Sequence, residues 1–124
     1  MSSPVVEYKR GVTHAVRATL AYTDEDVAKE LVKIPGNCLY RARVLTTTGF
    51  NDGTAATISV GHTSAAYQDS VAAADVAAAG EDNGILALVG ASDTVIYGLY
   101  EGTDGDASAG AAIIVIEFWP YFHI

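Results

Sequence analysis

The chain has 124 residues, a formal charge of −8 and hydrophobic side chains at half of its positions. A chain of this length buries roughly two-thirds of its unfolded surface, enough for one core but not two, and with 18% charged residues it is too apolar to remain disordered throughout. All seven Lys and Arg lie at or before Arg43, while the ten acids beyond it meet no base, so most of the chain repels a phosphate backbone; nucleic-acid binding would have to use Lys9, Arg10, Arg17, Arg41 and Arg43 alone and is not expected.

Residues 1–10 (MSSPVVEYKR) carry too little pattern for more than an extended N-terminal arm and hold no apolar stretch of signal-peptide type. The rest, 11–124, reads as a single domain. From Val12 to Tyr22 the chain alternates, with Val12, His14, Val16, Ala18 and Leu20 on one side and Thr13, Ala15, Arg17 and Thr19 on the other, which predicts a strand. After the polar break Thr23–Asp26, Val27, Leu31 and Ile34 fall at helical spacing. Pro35 would stop such a helix within two turns, so an extended segment from Glu30 to Ile34 is preferred.

Ile34 to His62 reads as one long β-hairpin. Cys38, Tyr40, Ala42 and Val44 alternate with Leu39, Arg41, Arg43 and Leu45, and Asp52-Gly53 supplies a tight connection. The return strand then carries Ala56, Ile58 and Val60 on one side. Thr63 to Gly84 is rich in alanine; Asp69 or Ser70 could cap a short helix holding Val71, Ala74 and Ala78 before Gly80, or the same letters form a long loop. Short strands follow at Ile85–Val89 and Thr94–Glu101. A loop of small residues precedes the most hydrophobic strand, Ala111–Trp119. The count is seven or eight strands with at most one short helix. The fold class is therefore all-β, an antiparallel β-sandwich or jelly roll.

No arrangement of chemistry-bearing residues stands out. His14, His62 and His123 are dispersed, no nucleophile or phosphate-loop spacing occurs, and no enzyme activity is expected. Glu101, Asp104 and Asp106 offer hard oxygen ligands in a glycine-rich loop, but an acidic surface loop needs no ion, and no metal or cofactor is assigned. The single cysteine, Cys38, reads as a small buried hydrophobe. The apolar run Ala109–Ile116 is far short of a membrane span. Phe118, Trp119, Tyr121 and Phe122 place four aromatics within five residues, serving either the core alone or the core and a subunit interface.

The order of features is Ile34-Pro35-Gly36-Asn37, Tyr40-Arg41-Ala42-Arg43-Val44, Phe50-Asn51-Asp52-Gly53, Thr57-Ile58-Ser59-Val60-Gly61, an alanine-rich segment, and Ala109-Gly110-Ala111 leading into a Val/Ile strand. Over residues 12–119 it resembles small virion proteins of tailed bacteriophages, and among them the jelly-roll head decoration, or cement, proteins. The resemblance implies a homotrimer seated on the outside of a capsid, clamping neighbouring major capsid proteins against the pressure of packaged DNA. It implies a virion protein made in the host cytoplasm, without membrane or nucleic-acid partners. The arm would add shell contact through Pro4, Val5, Tyr8, Lys9 and Arg10. The alternative role is a head- or tail-fibre module binding a receptor glycan, with exposed aromatics such as Tyr67, Tyr97 or Tyr100.

Overall fold

Alternation of buried and exposed residues decides the architecture. The computed structural model describes residues 14–53, 55–103 and 107–120. Nine strands occur among them: β1 (His14–Ala21), β2 (Lys29–Ile34), β3 (Cys38–Thr48), β4 (Ala56–Gly61), β5 (Val71–Asp75), β6 (Gly80–Asn83), β7 (Ala87–Leu88), β8 (Thr94–Gly102) and β9 (Ala111–Pro120). The one helical element among the described residues is a 3-10 turn at Tyr22–Asp24, where the Asp24 carboxylate accepts the Ala21 N–H at 2.8 Å.

All strand pairs are antiparallel and sort into two sheets. The first has the order β1-β9-β3-β6, with β7 pairing β3 on the same edge as β6; the second has the order β2-β8-β4-β5. This is jelly-roll connectivity, in which the chain crosses between the sheets so that successive long strands do not pair. Between the sheets lies one core that includes Leu20, Ile34, Tyr40, Val44, Ile58, Val60, Ile96, Tyr100, Ile114 and Ile116, each at most 1% exposed. Each such side chain stabilises the fold by about 1.5–3 kcal/mol through burial.

Three expectations are corrected. The stretch Ile34–His62 is not a hairpin, because β3 lies in the first sheet and β4 in the second. The Asp52-Gly53 turn is present, with Gly53 at φ 50, but the chain there dives between layers. Phe50 is 1% exposed, its N–H donates to the Val76 carbonyl, and Asp52 is drawn inward, so the connection is anchored to the core rather than reversed in the plane. Second, Asp69 and Ser70 cap no helix. The Ser70 hydroxyl accepts the Ala42 N–H at 2.9 Å and donates to the Ile85 carbonyl at 2.8 Å, while Val71 pairs with Val60, and these contacts hold the alanine segment extended as β5 and β6. Alanine's helix preference is a weak prior against such tertiary bonds. Third, the strand expected at Ile85–Val89 shrinks to Ala87–Leu88, and Ile85 and Leu86 face solvent.

Candidate functional site

Three regions carry chemistry or unusual exposure. At the sandwich end formed by the β3–β4 and β8–β9 connections, the Tyr100 hydroxyl donates to Asp52 Oδ2 at 3.2 Å. Burial, and then the nearby carboxylates of Asp52, Glu25 and Asp26, push the Tyr100 phenol well above its ordinary range. Asn51 fastens the same end: its Oδ1 accepts the backbone N–H of both Ser108 and Ala109, and its Nδ2 donates to the Ser108 hydroxyl. Gly110, at φ 151, lies so close to the Phe50 ring that a Cβ there would overlap it. These groups hold one another across the two connections.

At the opposite end, Tyr40 and His62 share a hydrogen bond of 2.8 Å between the phenol oxygen and Nδ1. Asp69 Oδ1 stands 3.7 Å from that nitrogen. Asp69 also accepts the N–H groups of His62 and Thr63 and the Thr63 hydroxyl, at 2.7, 2.8 and 2.6 Å. Burial opposes its ionisation, yet these donors outweigh burial and hold its carboxyl below the usual range. Burial and then the Asp69 charge raise the Tyr40 phenol. The cluster has a Tyr-His-Asp composition, but its carboxylate is engaged by the His62 and Thr63 groups of the β4–β5 connection that it closes. A cavity of about 310 Å³ nearby is lined by Pro35, Gly36, Asn37, Ala91, Asp93 and Pro120 around Cys38. Cys38 is 2% exposed, as its strand position predicts, and burial and then Asp93 raise its thiol pKa. Among the described residues no three His, Cys, Asp or Glu side chains gather as metal ligands.

The third region is the outer face of the first sheet. Register and burial put Ile113, Val115, Glu117 and Trp119 of β9 outward beside Leu39, Arg41, Arg43 and Leu45 of β3. Leu88 extends the row of Trp119 and Leu39, and Ile85 and Leu86 border it at the sheet edge. Arg41 pairs with Glu117 at 3.2 Å, and Arg43 reaches Glu117 at 3.9 Å and Glu81 at 3.6 Å. On the other sheet, Tyr67, held at φ 52, lays its ring 4.9 Å from Tyr97.

The aromatic candidates separate. Phe118 points inward, 7% exposed, stacked on His14 at 5.3 Å, while Trp119 points outward from the same strand. Tyr121 and Phe122 lie outside the described residues, as do Pro4, Val5, Tyr8, Lys9 and Arg10 of the arm and Asp104 and Asp106 of the acidic loop. Tyr100, expected among exposed aromatics, is 0% exposed because it fills the core between the sheets. Sequence reasoning missed the exposed leucines of the first sheet, whose signal was the outward alternation of Leu39 and Leu45 with no acid between them.

Neither a protein-family model nor a curated protein sequence matches the chain. Solved structures do. A chain of the cyanophage Pam1 capsid asymmetric unit superposes with a TM-score of 0.69 at 12% identity, covering 90% of this chain and 86% of its own. A chain of the acidic-stable capsid of Helicobacter pylori bacteriophage KHP30 superposes with a TM-score of 0.66 at 13% identity, covering 88% of this chain and 89% of its own. The protein thus shares its fold, over nearly its whole described length, with chains of phage capsid structures.

Proposed function

We propose that this protein is a structural component of a bacteriophage virion, a decoration or cement protein that binds the outside of the capsid as a homotrimer and stabilises the shell. The observation that carries the reading is the end-to-end match of a single jelly roll, with nearly all of each chain covered, to chains from two phage capsids. The residues support it. Polar groups at both ends of the sandwich are tied up in structural bonds, as suits a stiff clamp without a catalytic step, and the first sheet offers an apolar face for assembly. The major capsid protein is the partner, neither nucleic acid nor membrane is bound, and synthesis is in the host cytoplasm. Among the described residues no helix is long and apolar enough to cross a membrane. The arm of residues 1–10, with Pro4, Val5, Tyr8, Lys9 and Arg10, adds contact to the shell, and 11–124 form the domain.

A second reading, a fibre module that binds a receptor glycan, is favoured by the Tyr67–Tyr97 pair on the outside of the second sheet. Copy number separates the two. Hundreds of copies in purified particles, with loss of shell stability when the protein is stripped, support decoration. A few tens at one vertex, with Tyr67→Ala abolishing host adsorption, support the fibre. Absence from particles sinks both.

A further inference from the structure

We infer that the outer face of the first sheet is where copies of this chain meet one another, through the rows of Trp119, Leu39 and Leu88 and of Ile113 and Leu45 that flank the Arg41–Glu117 pair. The inference rests on the homotrimer part of the reading above, not on its capsid part. An antiparallel sheet that faces water on one side normally alternates apolar-in, polar-out. Here β9 keeps only Glu117 as a charged outward residue, and Leu45 and Leu88 are 43% and 51% exposed. The one tryptophan in the chain stands in this face. Exposed leucines beside an outward Trp and arginines match the composition of interface centres more closely than that of free surface.

Charge selects the occupant. The whole chain carries −8, so two copies repel across most of their surfaces. This face is the exception: Arg17, Arg41 and Arg43 against Glu81 and Glu117 leave it at about +1 by formal charge. Arg41 and Arg43 are already paired within the face, which lowers the cost of removing them from water. No ion pair among the described residues involves Arg17. It projects from edge strand β1, whereas Glu81 projects from the opposite edge, β6. When copies turn this face toward a common axis along the strands, the β1 edge of one adjoins the β6 edge of the next, bringing Arg17 toward a neighbour's Glu81.

The area is sufficient. Four strands spaced about 4.8 Å apart and ten residues rising about 3.3 Å each span about 600 Å² per copy, so three copies that bury this face around a common axis hide about 1,800 Å² in all, on the order of the surface buried in a specific assembly.

The test is light scattering on the full chain over a wide concentration range, with the emission of Trp119 followed in the same samples. The expected mass is a multiple of 12.9 kDa that falls on dilution as Trp119 emission moves to the red. Leu45→Glu with Leu88→Lys should leave circular dichroism and the thermal midpoint at low concentration unchanged and raise the dissociation constant at least about a hundredfold. Val27→Glu, at an exposed residue before β2, should leave the mass alone. An oligomer that survives the double substitution with Trp119 unmoved overturns the inference and spares the homotrimer, which then uses another face. A monomer at every concentration overturns both, and blue Trp119 emission in that monomer assigns the face to residues 1–13 or 121–124 of the same chain. Retained mass with lost capsid co-sedimentation makes this the shell-docking face instead and also overturns the inference.

Discussion

The Tyr100 hydroxyl donates to the Asp52 carboxylate at 3.2 Å, and water reaches neither residue, Tyr100 being 0% and Asp52 2% exposed. The bond ties β8 of the second sheet to the connection that carries the chain across from β3. Tyr100→Phe removes the donor and leaves the buried acceptor one bond short, at an expected cost of about 1–3 kcal/mol in urea unfolding. An unchanged midpoint would mean that Asp52 is held by its other contacts alone.

The same environment sets a high-pH limit. Tyr40 and Tyr100 both have phenols raised above their ordinary value, so the folded state keeps protons that the unfolded state releases. Stability from this source is intact below about pH 10, the ordinary tyrosine value, and declines above it by about 1.4 kcal/mol per pH unit for each residue. In a spectrophotometric titration, two of the seven tyrosines should ionise only as the protein unfolds. Seven reversible titrations near pH 10 would contradict it.

Asp69 sets the acid limit. Its carboxyl, held below the usual range, contributes stability that is present above about pH 4 and lost as pH falls through its folded-state value. Asp69→Ala strands the donors of His62 and Thr63 and should cost about 1–3 kcal/mol at pH 7. The variant should also lose less stability than the parent between pH 5 and pH 2, read as urea midpoints at the two ends.

Ser70→Ala is the sharpest probe of β5. Its hydroxyl bridges Ala42 of the first sheet and the Ile85 carbonyl, and removing it leaves a buried N–H without its acceptor. The expected loss is about 1–3 kcal/mol, with Ser70→Thr retaining more of the bridge than alanine does. Equal destabilisation by both would show that side-chain volume, not the hydroxyl, decides the site.

Cys38 should be inert in the folded protein. A buried thiol with a raised pKa presents little thiolate, so reaction with a disulfide reagent should be about a hundredfold slower in buffer than in denaturant. Comparable rates would place the thiol in reach of solvent through the adjoining cavity.

The strands with inward apolar residues at every second position were legible from the sequence: β1, β3, β4, β8 and β9 run where the alternation puts them, whereas β2, with Leu31 and Val32 both partly buried and a register shift between Glu30 and Val32, keeps no strict alternation. Partnering was not legible. Period 2 reports that Cys38–Leu45 is extended but not that its neighbours are β9, β6 and β7 rather than β4. The alanine segment was illegible for a related reason, since its extended form depends on Ser70 reaching Ala42, 28 residues away. Gly80–Asn83 shows no strand signal because backbone pairing and Arg43–Glu81, rather than buried side chains, hold it to β3. The apolar outer face was half visible: Ala111–Ile116 is hydrophobic on both sides of the strand, which a water-facing sheet does not require.

The central place of β9 has a consequence for how the protein is made. β9 follows every other described strand in the chain, yet it fills the middle of the first sheet between β1 and β3. Its register joins Ala21 to Ala111 and His14 to Phe118, so β1 waits through about 90 further residues of synthesis before its partner exists. At elongation rates of about 5–20 residues per second, the first sheet stays open for several seconds on the ribosome. Closure of the first sheet therefore waits for β9, and it is slow because its pairings are non-local.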